Sequence, residues 1–249
     1  MTIIDSRHYP SNPEMFVFDD EVSRIFPDMA RRSIPMYSEV HRLHASMIFN
    51  YRPCSIYEPM RVCDIGASRG EFFVEMCRQC SLDPSIGAGY LSFVAIDSSE
   101  PMLALLSGDM PWVTTICSDA LSLPELGEPA DVISMLYLLQ FIKDGHDKLS
   151  VLQWAYRNLK PGGMLILGQK ENPTKTYAES FYKLYYEFRR RNGYTHEEIE
   201  AKNKALAGSM WPDRAAWTED QCYRAGFIDY TETTRWLQFS TSICTKGVV

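Results

Sequence analysis

The sequence lacks the features of a membrane protein and of a nucleic-acid-binding protein. Its 249 residues contain no run of about 18 apolar residues, the length that a membrane-spanning helix needs. The N-terminal stretch MTIIDSRHYPSNPEMFVFDD has neither the basic nor the apolar segment of a signal peptide. A net charge of −7 argues against a broad electrostatic surface for nucleic acid. We therefore expect a cytoplasmic protein with no membrane partner.

A metal site is also missing from the sequence. The seven cysteines are spread along the chain, and so are the five histidines. Cys77 and Cys80 have the spacing of a redox or zinc motif, but no second cysteine pair or neighbouring histidine completes a ligand set. We interpret the pair as a coincidence of spacing on one helix face and expect no bound metal.

Short apolar runs alternate with helical patterns from Arg61 onward, which is typical of a parallel sheet built from βαβ units. The predicted strands are Val62–Ile65, Leu91–Ile96, Trp112–Ile116, Val132–Leu136 and Met164–Gly168. The helices predicted between them are Glu71–Gln79, Met102–Leu106 and Lys148–Leu159. This pattern predicts the α/β class with a Rossmann-like sheet.

Further elements are predicted before and after this alternation. Asp20–Asn50 is mostly helical, with interruptions at Pro27 and Pro35. The later elements are helices at Tyr177–Arg191, His196–Ala207 and Trp217–Ala225, then closing strands at Phe227–Thr231 and Arg235–Cys244. We predict one domain in four parts: an N-terminal helical cap (1–60), a cofactor-binding core (61–170), a helical lid insert (171–212) and a C-terminal helix with strands (213–249).

A buried strand runs directly into a glycine-bearing loop over residues 64–70. Glycine lets the backbone turn tightly and approach a ligand without a Cβ clash. The spacing is Asp-x-Gly-x-x-x-Gly, which differs from the Gly-x-Gly-x-x-Gly of dinucleotide enzymes. S-adenosyl-L-methionine (SAM) carries no pyrophosphate and does not need that tighter loop. The candidate SAM contacts in the loop are Asp64, Gly66, Ala67, Ser68 and Gly70.

Two more acidic residues follow predicted strands. Asp97, followed by Ser98, ends the second strand, where a carboxylate can accept both ribose hydroxyls. Asp119, followed by Ala120, comes after the third strand, where it can meet the adenine amine. Each aspartate could instead cap a helix or a turn. Three such residues in order, each at a strand end, indicate a SAM site.

Several segments outside the glycine loop carry a resemblance to a known family. They are Phe18–Val22, Ile25–Met29, Arg32–Pro35, Leu139–Phe141, Leu159–Gly163, Arg191–Tyr194 and Ala225–Phe227. They resemble the carboxy-S-adenosylmethionine synthases, which use prephenate to make a modified SAM for wobble-uridine modification of tRNA. The resemblance implies a SAM-dependent transferase of the class I methyltransferase fold. That fold has a mostly parallel sheet and an antiparallel C-terminal hairpin, here with N-terminal helices and a helical lid.

The resemblance also implies individual contacts. Carried over residue by residue, the cofactor contacts are Tyr37, Gly66, Ala67, Ser68, Asp97, Ser98, Asp119 and Ala120. Leu136 stands where the family has a cofactor-contacting asparagine, and Asn203 stands where it has an arginine that holds the transferred carboxylate. Asparagine cannot grip a carboxylate bidentately, and the flanking Lys202 and Lys204 offer only point charges. These departures leave the reaction open.

Four roles remain: methyl transfer to a small molecule, carboxy-SAM synthesis, ring closure of SAM alone, and a non-catalytic SAM-binding scaffold. Ring closure would yield azetidine-2-carboxylate and methylthioadenosine, and would resemble the SAM cyclases of this fold. It requires aromatic faces near the sulfonium, for which Tyr37, Tyr137 and Tyr177 are the candidate catalytic residues. Leu136 would add an apolar wall to the cofactor site. The expected partners are a small-molecule substrate, or SAM alone, and a second copy in a homodimer.

Overall fold

A computed structural model of the chain describes residues 18–51, 59–82 and 89–248. Residues 1–17 of the stretch inspected for a signal peptide lie outside the described residues, as does Cys54. Within the described ranges, no helix is long and apolar enough to cross a membrane.

One sheet of seven strands organises the fold, in the order β3-β2-β1-β4-β5-β7-β6. The strands are β1 (Met60–Ile65), β2 (Leu91–Asp97), β3 (Thr114–Cys117), β4 (Ala130–Leu136), β5 (Leu159–Lys170), β6 (Asp229–Trp236) and β7 (Phe239–Thr245). The pairs among β1 to β5 are parallel, whereas β7 pairs antiparallel with both β5 and β6. The predicted mostly parallel sheet with an antiparallel C-terminal hairpin is confirmed.

Helices cover the sheet and the ends of its strands. They are α1 (Asp20–Ser33), α2 (Tyr37–Tyr51), α3 (Glu71–Leu82), α4 (Glu100–Asp109), α5 (Gly145–Asn158), α6 (Ala178–Arg191), α7 (His196–Leu206) and α8 (Ala215–Ala225). Local caps set several of their starts. Asp19 accepts a bond of 2.9 Å from the Val22 amide, and Thr195 forms a capping box with Glu198.

Two apolar layers, one on each face, fix the sheet in place. On one face Phe72, Phe73 and Met76 of α3 are buried with residues of α2 and α4. On the other face α5 and α8 contribute Leu152 and Cys222 to a second core. Truncating a fully buried phenylalanine costs about 3–5 kcal/mol, so these layers hold the strands firmly. The loops that follow the parallel strands are therefore presented from a rigid edge.

The predicted interruption at Pro27 is wrong, because α1 continues through that residue to Ser33. Proline has no N–H to donate to the carbonyl four residues earlier, which belongs to Ser23. The Arg69 guanidinium lies 3.5 Å from that carbonyl oxygen and satisfies it from outside the helix. The predicted interruption at Pro35 is confirmed, because α1 ends at Ser33 and α2 begins at Tyr37, and Met36 between them has a φ of 58°.

The C-terminal hairpin turns later than the sequence pattern predicts. β6 extends to Trp236 and the reversal falls at Leu237, whose φ is 50°. A register shift between Glu232 and Thr234 interrupts the alternation of side chains within β6. Because the bulge interrupts the alternating pattern of the sequence, the pattern predicts that the strand ends there.

Candidate functional site

A cavity of about 520 Å³ lies at the edge of the sheet where the parallel strands end. The strand order reverses between β1 and β4, and such a reversal is where open α/β sheets bind ligands. Loops after β1, β2, β3 and β4 form one wall, and α1, α2, α6 and α7 contribute to the opposite side. The cavity is within the usual size range of small-molecule sites, roughly 300–1,000 Å³.

The glycine loop enters the cavity directly after β1. Gly66 has a φ of 74°, and its amide donates 2.8 Å to the Ile96 carbonyl oxygen. A Cβ at this position would lie 3.3 Å from the Leu138 side chain. Gly66, Ala67 and Ser68 all line the cavity, and Ser68 also has a positive φ, of 49°. The loop therefore brings its backbone to the cavity wall.

Gly70, by contrast, does not line the cavity. A Cβ there would lie 2.5 Å from the terminal methyl carbon of Met110 and 3.2 Å from Leu106. Its φ of 76° closes the loop against α4. The structure does not bring Gly70, predicted as a cofactor contact, to the cavity, and this glycine serves the packing of the loop on the core.

Asp97 is fixed by two backbone donors. Its Oδ2 accepts 2.9 Å from the Ser68 amide, and its Oδ1 accepts 2.8 Å from the Ser99 amide. Each carboxylate oxygen can accept a further hydrogen bond, so both remain available to ribose hydroxyls. Burial raises the pKa of Asp97, while the backbone hydrogen bonds act against that rise. Ser98 lines the cavity beside it.

Asp119 and Ala120 also line the cavity, after β3. Oδ1 of Asp119 accepts 2.8 Å from the Leu121 amide and caps a short 3₁₀ turn. The alternative capping role is thus present in the structure. Capping uses one carboxylate oxygen, so the other can still meet an adenine amine.

Asp64 and Glu71 place two buried carboxyl groups at the β1 end of the cavity. Burial raises the pKa of Asp64 to about 8, and the charges of Asp97 and Glu71 add to that rise. Burial also raises the pKa of Glu71. Neither carboxylate forms an ion pair with any residue that the structure describes. A positively charged ligand would supply the missing partner for these carboxylates, and SAM carries two such charges, on its sulfonium and its ammonium.

Two of the three predicted tyrosines meet in the cavity. Tyr37 and Tyr137 are both 8% exposed, and their ring centroids are 6.3 Å apart. Phe239 lies 6.5 Å from the Tyr137 ring. Leu136 lines the same wall. An aromatic and apolar surface of this kind suits a sulfonium, which is a cation that carries alkyl groups.

Tyr177 is not brought to the site. It directly precedes α6, is 59% exposed and stacks on Phe181 at 6.3 Å, outside the residues that line the cavity. Tyr177, predicted to face the sulfonium, is thus placed away from the cavity. The aromatic residue that α6 does supply is Tyr185, two turns further along the helix.

Lys170 and Lys202 line the cavity at its β5 end, and Arg189 lies beside them without lining it. Lys170 is the last residue of β5, and its Nζ lies 5.1 Å from the Tyr185 ring centroid. Lys202 of α7 donates 2.6 Å to the Ser33 hydroxyl. The Arg189 guanidinium lies 4.3 Å from the Tyr185 ring centroid. We call Lys170, Arg189 and Lys202 the cation cluster.

The cation cluster has no carboxylate among its partners in the described part of the chain. Burial, followed by the positive charge of Arg189, lowers the pKa of Lys170 to about 8. Burial and the neighbouring cations lower the pKa of Lys202 to about 7. Nε of Arg189 is buried without a hydrogen-bond partner. An anionic group in the cavity would stabilise all three charges.

Asn203, the position compared with an arginine in the sequence, points elsewhere. Its Oδ1 accepts 2.9 Å from Arg189 and its amide nitrogen lies 3.4 Å from Glu200, so the side chain does not line the cavity. Lys202, one residue earlier, supplies the cation instead. Lys170 could have been found from sequence, because it ends a strand in the same way as Asp97.

Comparison with known proteins agrees with this geometry. Residues 62–163 match a methyltransferase domain family. The chain is 32% identical over 239 residues to a carboxy-S-adenosyl-L-methionine synthase of Wolinella succinogenes, covering 94% of this chain and 95% of the relative. Identity to the synthase of Methylococcus capsulatus is 30%, covering 93% of each chain. The plantazolicin methyltransferase BpumL, solved with S-adenosylhomocysteine, shares the fold at a TM-score of 0.64, 11% identity and coverage of 91% and 90%.

Fold and site together define a SAM-dependent enzyme of the class I methyltransferase fold, with the chemistry of a transferase. SAM is its cofactor or substrate. The chain belongs to the carboxy-S-adenosyl-L-methionine synthase family.

Proposed function

We propose that this enzyme transfers a group between SAM and a small anionic molecule, as in the carboxyl transfer named for its relatives. The observation that carries the proposal is the cation cluster. Its Lys170 ends β5, whereas Asp97 ends β2, and β1 and β4 lie between those strands. With strands about 4.8 Å apart, the two residues are separated by roughly 14 Å along the sheet edge. That distance leaves room for SAM and a second substrate side by side.

In this proposal, different residues along the sheet edge bind different parts of the two substrates. Asp97 and the glycine loop hold the ribose and the methionine backbone of SAM, and Asp64 and Glu71 face its positive charges. The cation cluster holds the anionic substrate next to the sulfonium of SAM. Fixing two reactants in one orientation lowers the barrier by converting a bimolecular encounter into an intramolecular step.

A carboxylate is the anion that suits the cation cluster best. The two lysines that line the cavity offer compact charges on flexible stems, and Arg189 adds its charge beside them. Burial of these groups excludes water, which strengthens their attraction for an anion. An arginine at position 203 is therefore not needed for carboxylate binding, because Lys202 lines the cavity one residue earlier and the charge of Arg189 lies close to it.

Product analysis with defined substrates tests the proposal. Purified enzyme is incubated with SAM alone, with SAM and prephenate, and with SAM and other small carboxylates, and the products are identified by mass spectrometry. We expect carboxy-SAM in the prephenate reaction, or a methylated carboxylate in one of the others. SAM that stays intact with every carboxylate contradicts the proposal.

Ring closure of SAM itself is a second candidate function, favoured by the buried carboxyl groups beside Tyr37 and Tyr137. In this reaction the α-ammonium gives a proton to Asp64 or Glu71, and the freed amine attacks the γ-carbon. The bond from that carbon to sulfur breaks, so methylthioadenosine leaves as a neutral product with azetidine-2-carboxylate. A carboxylate that ionises beside the bound cation is placed to accept a proton from the ammonium. The cation cluster would then hold the carboxylate of SAM.

The reaction with SAM alone distinguishes the two candidates. Ring closure releases equal amounts of methylthioadenosine and the cyclic amino acid with no second substrate present. Group transfer leaves SAM unchanged until an anionic substrate is added. Asp64→Asn combined with Glu71→Gln would slow ring closure strongly, since both candidate bases are lost.

A further inference from the structure

Tyr137 adopts a backbone conformation that a bulky residue rarely takes. Its φ is 65°, in the left-handed region that normally favours glycine. The residue follows β4 directly, and this turn directs its ring into the cavity beside Tyr37. Such strain persists only where neighbouring groups impose it.

Two hydrogen bonds impose it here. The Tyr137 amide donates 2.7 Å to the Gly168 carbonyl oxygen of β5. The Tyr137 carbonyl oxygen accepts 2.6 Å from Nε2 of Gln140. Gln140 is itself fixed, since its own carbonyl oxygen accepts 2.7 Å from the Trp211 amide. Gln140 thus links the strained turn, through its side chain, to the segment that follows α7, through its backbone carbonyl.

The same side chain presents an unused acceptor. Gln140 is only 4% exposed and lines the cavity. A backbone carbonyl can only accept, so the amide nitrogen must face Tyr137 and the oxygen must face away from it. That Oε1 is buried and has no hydrogen-bond partner among the described residues. A buried amide oxygen without a donor is unfavourable, and a bound ligand that donates to it removes that penalty.

We propose that Gln140 binds the ammonium group at the amino-acid end of SAM through Oε1, while its Nε2 positions Tyr137 for the reaction. Leu138, between the two residues, packs against Gly66, so this segment lies against the loop that holds the methionine part of SAM. An ammonium is the donor of SAM that remains once Asp97 has taken the ribose hydroxyls and Asp119 the adenine amine. This role rests on the proposed function only for the part played by Tyr137.

Two substitutions separate the two functions of the side chain. Gln140→Met keeps the size of the side chain and removes both the acceptor and the donor. Gln140→Glu keeps the acceptor but removes the donation to the Tyr137 carbonyl. Calorimetry with S-adenosylhomocysteine, which has the ammonium, is compared with methylthioadenosine, which has no amino-acid end.

For Gln140→Met we expect about tenfold weaker binding of S-adenosylhomocysteine and methylthioadenosine affinity within about twofold of the wild type. For Gln140→Glu we expect affinity for S-adenosylhomocysteine at or above the wild-type value, and a kcat about tenfold lower. Gln221→Met, at a residue 3% exposed on α8, is the matched control for loss of a buried glutamine and should change neither ligand affinity.

Unchanged S-adenosylhomocysteine affinity in Gln140→Met, or an equal loss for both ligands, would overturn the binding role. Wild-type kcat in Gln140→Glu would overturn the positioning role. The calorimetric measurements do not depend on turnover. An enzyme that binds as expected but consumes no SAM would therefore refute the proposed function and leave the ammonium site intact.

Discussion

The amide of Ser68 donates a hydrogen bond of 2.9 Å to Oδ2 of Asp97. The glycine loop after β1 and the acidic residue that ends β2 are therefore one unit, and a ligand that contacts either depends on both. The amide of Ser99 completes the arrangement by holding Oδ1 at 2.8 Å.

We expect Asp97→Ala to weaken SAM binding at least about tenfold. The substitution removes hydrogen bonds from a charged group to ribose, each worth about 1.5–3 kcal/mol, and it also releases the Ser68 amide. Calorimetry measures the change. Asp109→Ala is the control, because that carboxylate forms a surface ion pair with Arg69. Equal SAM affinity in Asp97→Ala and the wild type would remove Asp97 from the site.

SAM affinity should rise with pH up to about 8. In the ligand-free protein burial holds the pKa of Asp64 near 8, so the carboxyl is largely neutral at pH 6. A cationic ligand favours the ionised form, so binding releases a proton and strengthens by up to about tenfold per pH unit below 8. The sign for folding is opposite: the neutral carboxyl favours the folded ligand-free protein, and this contribution is lost as pH rises from about 4 to 8.

Calorimetry between pH 6 and 8, in buffers of different ionisation enthalpy, measures this proton release. Asp64→Asn should bind SAM with an affinity that varies much less with pH. A wild-type profile as flat as that of Asp64→Asn would contradict the expected coupling.

Gly66 and Gly108 should respond oppositely to alanine. At Gly66 the φ of 74° and the Leu138 side chain 3.3 Å away make a Cβ unfavourable, so Gly66→Ala should destabilise the fold by about 1–2 kcal/mol. Gly108 lies in α4 with nothing within 4 Å of an added Cβ, so Gly108→Ala should stabilise it by about 0.4–1 kcal/mol. Urea denaturation gives both values. A destabilised Gly108→Ala would show that the α4 backbone is not as open as its surroundings indicate.

The two ends of the cavity differ in how well the sequence predicts their residues. Asp97 was predictable because an acidic residue at the end of a buried strand has few structural uses apart from capping. The place of Lys202 in the cavity was not predictable. Lys202 lies on a helix whose position over the cavity depends on contacts with distant parts of the chain, such as its 2.6 Å hydrogen bond to Ser33. A helical pattern indicates which residues share a face, and it does not say what that face covers.

Local exceptions account for the other differences between sequence and structure. Pro27 fits inside α1 because Arg69 satisfies the carbonyl that proline leaves unpaired. Tyr177 precedes the first turn of α6 and faces outward, whereas Tyr185 on the same helix faces the cavity. Each of these outcomes depends on tertiary contacts between segments distant in the chain, which periodicity and propensity do not encode.

The cation cluster should control binding of the anionic substrate. Lys170→Met and Lys202→Met should each raise the KM for that substrate at least about tenfold, because each removes a charge-assisted hydrogen bond in a buried site. SAM affinity should stay within about twofold. Lys204→Met is the matched control, since Lys204 is exposed on the same helix and does not line the cavity. If SAM affinity falls instead, the cluster holds the carboxylate of SAM and the ring-closure function is favoured.

The pH dependence of this binding should run opposite to that of SAM. Burial lowers the pKa of Lys202 to about 7, so above this pH an anion must bind together with a proton and its affinity should fall as pH rises. The KM for the anionic substrate measured from pH 6.5 to 8.5 checks this. Lys202→Arg, which stays protonated throughout, should flatten the upper part of the profile.

Tyr137 should contribute to turnover through its aromatic face. Contact between an aromatic ring and a desolvated sulfonium is worth about 2 kcal/mol, so Tyr137→Ala should lower kcat roughly thirtyfold. Tyr137→Phe keeps the ring and should retain most of the rate. Burial raises the pKa of the Tyr137 phenol, so the hydroxyl stays protonated at neutral pH and is not expected to act as a base. Tyr223→Ala, at a residue 47% exposed on α8, controls for loss of a tyrosine. A Phe variant as slow as the Ala variant would mean that the hydroxyl acts in proton transfer and that the ring is secondary.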